Sequence, residues 1–353
     1  MTSWCSEDFF PTKLSFVYFV AYMGLFINQG ILVTASKTKN NAYQYNTVTV
    51  VLLTECLKLI AAILIYLRGN SVSSLISEVF KNRKVLLYYF VPAGLYCLYN
   101  NLQFVNLGAY DPTTYFLLLQ FRVVVTGVVF QIIFQKKLSC IQWLSLIILT
   151  IGCIVKEYGH DASRSSSMTT PGGSGSQVFS YLDPHLFLIM LQVFSSCFAG
   201  VYNEYLLKDK GCDIHIMVQN VFMYVDSIIC NVVVLSFRGQ LTSAFTQTSL
   251  ATIFQIGVIA IMVNNAAIGI VVSLFLRSLN SILKTFASAL ELMFTAVLCY
   301  FIFGISIDVY TVFAIFIVSG AVFLYAQNPV VNKPKNEIAS ASGKGPENSV
   351  QKV

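Results

Sequence analysis

The sequence predicts an all-α membrane protein of about ten transmembrane helices, arranged as two inverted five-helix halves. Three observations carry this expectation. The chain of 353 residues is 56% hydrophobic and only 11% charged, with a mean hydropathy of +0.71, whereas soluble domains carry about 25% charged residues. Apolar runs of about 20 residues, the length that crosses a hydrocarbon core, recur along the whole chain. Lysine and arginine are distributed unevenly between alternate connections of those runs.

The runs fall at 14–36, 46–67, 86–109, 113–134, 138–156, 186–207, 215–236, 250–272, 281–303 and 308–327. No basic start, short apolar core and small-residue cleavage site precedes the first run, so it reads as an anchor and not as a cleaved signal. Span eight is the least constrained in register, because no charge occurs between Arg238 and Arg277; the stretch "QLTSAFTQTS" reads as its entry loop. An even number of spans puts both termini on one side. With that side cytosolic, its loops and tail hold Arg68, Lys81, Arg83, Lys84, Lys136, Lys137, Lys208, Lys210 and the tail lysines. The opposite side holds Lys37, Lys39, Lys156, Arg164 and Arg238. Excess Lys/Arg marks the cytosolic face, so both ends are expected there.

The expected division is a cytosolic N-terminus at 1–13, a first half at 14–156, a linker at 157–185, a second half at 186–328 and a tail at 329–353. The linker contains "RSSSMTTPGGSGSQ" and the tail reads "NKPKNEIASASGKGPENSVQKV", both too polar and too rich in Ser, Gly or Pro to bury a core. An internal echo supports five spans on either side. "FQKKLSCIQWLSLIILTIGCIV" and "IFGISIDVYTVFAIFIVSGAVF" share one rhythm and place Gly152 opposite Gly320. The nine cysteines lie mostly in apolar runs, where they read as small buried hydrophobes. With three scattered histidines and no CxxC pair, no metal and no cofactor is expected.

Charges inside the spans carry the functional reading, because each costs at least ~2.5–3.5 kcal/mol in a bilayer. They are Glu55 and Lys58, Arg122, Asp226, and Lys284 with Glu291. Glu55 and Lys58 are three apart and share a helix face, which fits either a mutually neutralising pair or a gate. Arg122 and Lys284 have no acid three or four positions away; Asp226 or Glu291 could neutralise them across helices. Ser281, Lys284, Ser288, Glu291 and Thr295 recur at helical spacing and read as a polar stripe along a water-accessible path. Two cations on corresponding spans of two halves would make an anion site.

The neighbours point to an aromatic anion. Tyr96, Tyr99 and Asn100 lie on one face of span three, Tyr115 lies two turns before Arg122 on the same face, and Asn220 and Tyr224 share a face of span seven, with Asp226 a third of a turn away. Flat rings offer stacking surfaces for a nucleobase, and amides can read its edge. With 19 tyrosines in the chain, each taken alone reads more readily as packing than as a ligand.

With these residues in place, the chain resembles the nucleotide-sugar transporters of the Golgi and endoplasmic reticulum, within the drug/metabolite transporter superfamily. The nearest branch is that of the CMP-sialic acid, UDP-galactose and UDP-N-acetylglucosamine carriers. The resemblance runs over nearly all of 14–328 through "TECLKL", "YNNLQFVNL", "YFLLLQFRVV", "GVYNEYLLK", "VQNVFMYVDSI" and "RSLNSILKTFASAL". It implies ten helices with cytosolic termini, a Golgi or endoplasmic-reticulum membrane, and exchange of a cytosolic nucleotide sugar for a luminal nucleoside monophosphate. It also implies that Lys284 meets the phosphates and that Tyr96, Tyr99, Asn100, Asn220 and Tyr224 lie among the nucleotide contacts. Two positions depart from the pattern: Arg122 stands where related carriers usually have lysine, and Asp226 where close relatives have a small hydroxyl residue.

The expected function is therefore a UDP-sugar:nucleoside-monophosphate antiporter, with UDP-galactose favoured. Two fixed cations match a diphosphate, a bidentate Arg122 among them, and Asp226 could accept from a hexose hydroxyl. CMP-sialic acid, UDP-N-acetylglucosamine or a non-nucleotide metabolite are the alternatives. An enzyme is not expected, since His160, His185 and His215 are scattered. The expected partners are the nucleotide sugar, the nucleoside monophosphate and the lipid bilayer, with no nucleic acid; the sequence leaves homo-oligomerisation open.

Overall fold

The computed structural model describes residues 10–36, 47–109, 118–165, 184–237, 253–304 and 309–330, with Gly239, Phe245, Thr246 and Asn332. Among the described residues the chain is all-helical, with no strand. The helices are α1 (Lys13–Ser36), α2 (Thr47–Leu67), α3 (Val72–Lys81), α4 (Arg83–Ala109), α5 (Arg122–Phe134) and α6 (Cys140–Ser165) in the first part of the chain. The second part holds α7 (Pro184–Tyr205), α8 (Ile216–Phe237), α9 (Ile256–Ser278), α10 (Ser281–Phe303) and α11 (Val309–Ala326). A π-turn, Leu206–Lys210, extends α7.

Among the described residues, seven helices are long and apolar enough to cross a membrane: α1, α2, α7 with its extension, α8, α9, α10 and α11. Two shorter apolar helices lie at Arg122–Phe134 and Cys140–Val155. Inside hydrocarbon a helix satisfies its own backbone, which is why uninterrupted helices are the form these runs take. Large apolar side chains on the outer faces, such as Phe316 at 72% and Leu87 at 63% exposure, suit lipid and not water. The protein is a multi-pass membrane protein.

The helices depart from expectation in four places. Span eight was expected at 250–272, but α9 runs from Ile256 to Ser278, six residues later at each end (256 − 250 and 278 − 272). Uniform hydropathy leaves no mark of where such a helix starts. Its end is marked by Arg277 in the last turn, where a cation meets the negative end of the helix and donates to the carbonyls of Cys212 at 2.8 Å and Ile214 at 3.3 Å. Helix α6 runs on to Ser165, into the expected linker; residues 166–183 lie outside the described residues, as does the tail beyond Asn332. Helix α5 begins at Arg122, so this residue sits in a first helical turn and not mid-helix. Helix α3 was not expected at all.

The packing of these helices has a regular pattern. Helix α4 packs on α7 as α9 packs on α1, α4 on α8 as α9 on α2, and α5 on α7 as α10 on α1. Likewise α5 meets α6 as α10 meets α11, while α2–α8, α5–α10 and α6–α11 pair with each other. Where α6 meets α11, a Cβ at Gly152 of α6 would lie 2.8 Å from Val318 Cγ2 and 3.1 Å from Ile317 Cγ2 of α11. Close helix approach in membranes relies on such small residues. Gly152→Val is expected to overpack this seam and cost about 1–3 kcal/mol, read as a lower Tm in detergent; an unchanged Tm would show that the seam is slack.

Candidate functional site

The site is a cavity of about 280 Å³ bounded by α2, α4, α7, α8, α9 and α10, at the lower edge of the roughly 300–1,000 Å³ of small-molecule pockets. Helical spacing builds its walls. Asn220, Met223, Tyr224, Ser227 and Asn231 follow one another at i, i+3, i+4, i+7 and i+11 along one face of α8. Val51, Glu55 and Lys58 supply a face of α2, and Tyr96, Cys97 and Asn100 a face of α4. Ile268, Gly269, Val272 and Ser273 line it from α9, Asn203 from α7, and Lys284 from α10.

Lys284 is held at the start of α10. Asn280 caps that helix, its side-chain oxygen accepting from the Leu283 amide at 2.7 Å. The Lys284 amide closes the first turn on the Asn280 carbonyl at 3.1 Å. A lysine one turn into a helix adds its charge to the positive end of the dipole, where an anion is favoured. Arg122 does not line the cavity. It stands in the first turn of α5, which packs against α10, and is close enough to Lys284 for the two charges to repel. Its backbone carbonyl accepts from Thr126 Oγ1 at 2.7 Å and Cys197 Sγ at 3.2 Å.

Glu55 and Lys58 pair with each other at 2.7 Å while both line the cavity. The Lys58 ammonium also stands 5.9 Å from the centre of the Tyr224 ring. Asn220 donates to Ser273 Oγ at 2.8 Å, and the Tyr224 hydroxyl is buried with no hydrogen-bond partner among the described residues. Glycine at 269 lets α9 come this close, since a Cβ there would lie 2.9 Å from the Tyr224 hydroxyl and 3.0 Å from Lys58 Cδ.

Other expected site residues fall elsewhere. Tyr115 lies outside the described residues. Tyr99 is half-buried beside Tyr96 but is not part of the cavity wall. Asp226 is 1% exposed on another face of α8, and neither of its carboxylate oxygens has a partner among the described residues. It therefore neither pairs Arg122 nor faces the cavity. The polar stripe of α10 is not one continuous path either. Of its residues Lys284 lines the cavity, Ser288 shares a 2.8 Å hydrogen bond with Tyr22 of α1, and Thr295 packs beside Gly30. Ser281 is sealed against Glu204, and Glu291 lies near Tyr22.

The sequence reading missed Asn203, Ser227 and Asn231, although the last two continue the spacing of Asn220 and Tyr224. It also assigned Lys208 to a loop. Lys208 is 1% exposed and ion-pairs with Glu204, itself 0% exposed, at 2.9 Å. Glu204 further accepts from the Ser281 amide at 2.7 Å, from the Ser281 hydroxyl, and from Asn332 at 2.7 Å; Lys208 also donates to the Leu279 carbonyl. The four-residue spacing in "EYLLK" is the signal that would have found this pair. The network ties the end of α7 to the α9–α10 junction, one turn from Lys284.

Known proteins give the arrangement a lineage. The profile of the nucleotide-sugar transporter family matches residues 13–326. The UDP-galactose transporter senju of Drosophila melanogaster is 54% identical, over 97% of this chain and 94% of its own. CMP-sialic acid transporter 1 of Oryza sativa subsp. japonica is 28% identical over 87% of this chain and 93% of its own. A solved protein structure shares the fold at a TM-score of 0.55 and 13% identity, covering 88% of this chain and 96% of that one. Matched by the family profile across its helical body, and more than half identical to a relative over nearly its full length, the chain belongs to the nucleotide-sugar transporter family.

Proposed function

We propose that the protein is an antiporter that brings a UDP-sugar, UDP-galactose in the first instance, from the cytosol into the Golgi lumen in exchange for UMP. The observation that carries the site is Lys284 in a cavity whose walls hold Tyr96, Asn100, Asn220 and Tyr224. The cation takes the phosphates, the rings flank the uracil, and the amides with the Tyr224 hydroxyl read its polar edge. The choice of UDP-galactose rests on the relative that is 54% identical and bears that substrate in its name. Arg122 stands behind Lys284 and raises the positive potential that the phosphates meet.

The two five-helix halves, α1, α2, α4, α5, α6 and α7 to α11, are part of the same proposal. Their support is the packing pattern: each contact above maps onto another contact, or onto itself, when every helix is replaced by its counterpart in the other half. Such paired halves rock about a central site. Without substrate, Lys284 and Arg122 face one another's charge with no acid ion-paired to either among the described residues, so the empty carrier crosses slowly and exchange is favoured over uniport. The Glu204–Lys208 network seals the cytosolic side of the cavity, one turn beyond Lys284.

Uptake into proteoliposomes tests the assignment. UDP-galactose is expected to enter vesicles preloaded with UMP faster than vesicles preloaded with CMP or GMP. Uptake of CMP-sialic acid driven by CMP, with no response to UMP, would replace the uridine assignment with the cytidine one.

A further inference from the structure

Helix α3 (Val72–Lys81) takes no part in the cavity, yet its faces are sharply sorted. Ser71 caps its start by accepting from the Ser74 amide at 3.2 Å, and Asn82 ends it on the Glu78 carbonyl. At 100° per residue, Leu75, Val79, Val72, Ile76 and Phe80 form one continuous apolar arc, opposite Ser73, Ser74, Ser77, Glu78 and Lys81. Half of that arc is covered, since Leu75 is buried and Val79 packs with it in the cluster around Tyr66, Tyr89 and Met217. The other half is bare: Val72 is 57%, Ile76 51% and Phe80 72% exposed. The segment from Arg68 to Lys84 carries four exposed cations, Arg68, Lys81, Arg83 and Lys84, against one acid, Glu78, a net charge of +3 (4 − 1). Glu78 is itself engaged by Asn82 at 2.9 Å.

We propose that α3 lies in the plane of the cytosolic bilayer surface, with Val72, Ile76 and Phe80 in the acyl-chain boundary and the four cations binding anionic phospholipid headgroups. Two observations select this occupant over a protein. Apolar side chains are also bare on both flanking helices, Leu64 of α2 at 60% and Leu87 of α4 at 63% exposure, as a lipid surface would leave them. The cations cluster at the two helix ends that flank α3: Arg68 directly follows α2, Lys81 closes α3, and Arg83 and Lys84 open α4. An apolar stripe bordered by basic residues is the pattern of a helix lying in a membrane interface, and the cytosolic leaflet holds the anionic lipids. The inference goes beyond the exchange reading and borrows only its topology. The device braces α2, which carries Glu55 and Lys58, against the membrane surface.

Two measurements on the full-length protein test this, neither of which reads transport. In vesicles of phosphatidylcholine, Phe80→Trp is expected to add blue-shifted emission, over the wild-type Trp background, that brominated acyl chains quench. Unquenched, water-like emission would overturn the proposal, and so would a Phe80→Cys cross-link between two copies in vesicles. In neutral detergent, added phosphatidylserine or phosphatidylinositol phosphate is expected to raise the wild-type Tm by at least about 3 °C. The combined Arg68→Gln, Lys81→Gln, Arg83→Gln and Lys84→Gln variant should lose that rise while keeping its Tm in lipid-free detergent. Equal stabilisation of both proteins, or the same rise with inorganic phosphate alone, would show that these cations do not select anionic lipid.

Discussion

Lys284→Ala is expected to abolish UMP-driven uptake of UDP-galactose while the protein still inserts and folds. The side chain lines the cavity from the first turn of α10 and makes no hydrogen bond that holds two helices together among those described, so its removal leaves the helix packing intact. What is lost is a charged partner for a phosphate inside a low-dielectric site, worth about 1.5–3 kcal/mol. That corresponds to roughly 10- to 150-fold in affinity, and to more in rate where the same contact is needed as the halves rock. Thermal stabilisation by UMP should fall in parallel. Lys284→Arg should recover only part of the activity, because a planar fork replaces a compact ammonium. Wild-type uptake by Lys284→Ala would remove the phosphate-binding role from this residue.

The largest effect on stability is expected at the buried ion pair of α7. Glu204 and Lys208 are 0% and 1% exposed, and their network joins α7, the α9–α10 junction and Asn332. Removing one member leaves the other charged and buried, a loss of about 3–5 kcal/mol. Glu204→Ala also orphans the Ser281 amide and hydroxyl, so it should be the worse of the two. Lys208→Met keeps the volume and loses the charge. The double variant Glu204→Leu/Lys208→Met should unfold at a higher temperature than Glu204→Ala, because it buries no lone charge. Tm values of the four proteins in one detergent decide the matter; single variants as stable as wild type would mean that the pair is solvated in the membrane.

Much of the fold was legible because membrane spans are written in hydropathy and bounded by charge. The tenth helix runs from Ser281 to Phe303, where the sequence placed its span, because Asn280 caps one end and Gly304 the other, with a φ of 67° that glycine tolerates. Span eight slipped because nothing charged marks its start. Helix α3 was missed because ten residues sorted into two faces read as a polar connection when only spanning lengths are sought. Of the candidate site, Asn220, Tyr224, Tyr96 and Asn100 were brought to one cavity because the helical period put them on faces that meet. Asp226 and most of the α10 stripe lie off the cavity wall for one reason: a polar residue in a span declares that it must be sheltered, and does not declare by what.

The sequence by itself determined the class of this protein: a hydropathic chain with charges confined to connections and to a few span positions has to fold as membrane helices, and Lys284 has to find a sheltered anion or partner. Local spacing settled two ion pairs, and only the tertiary structure decided where the other charges lie. Glu55 closed on Lys58 and Glu204 on Lys208 within their own helices, where i+3 and i+4 spacing already allowed it. Arg122 came to rest near Lys284 without lining the cavity, and Asp226 off the cavity wall, outcomes set by how α5 and α8 rotate against their neighbours. Rotation about a helix axis is governed by packing against other helices, and those helices lie tens to hundreds of residues away in the chain.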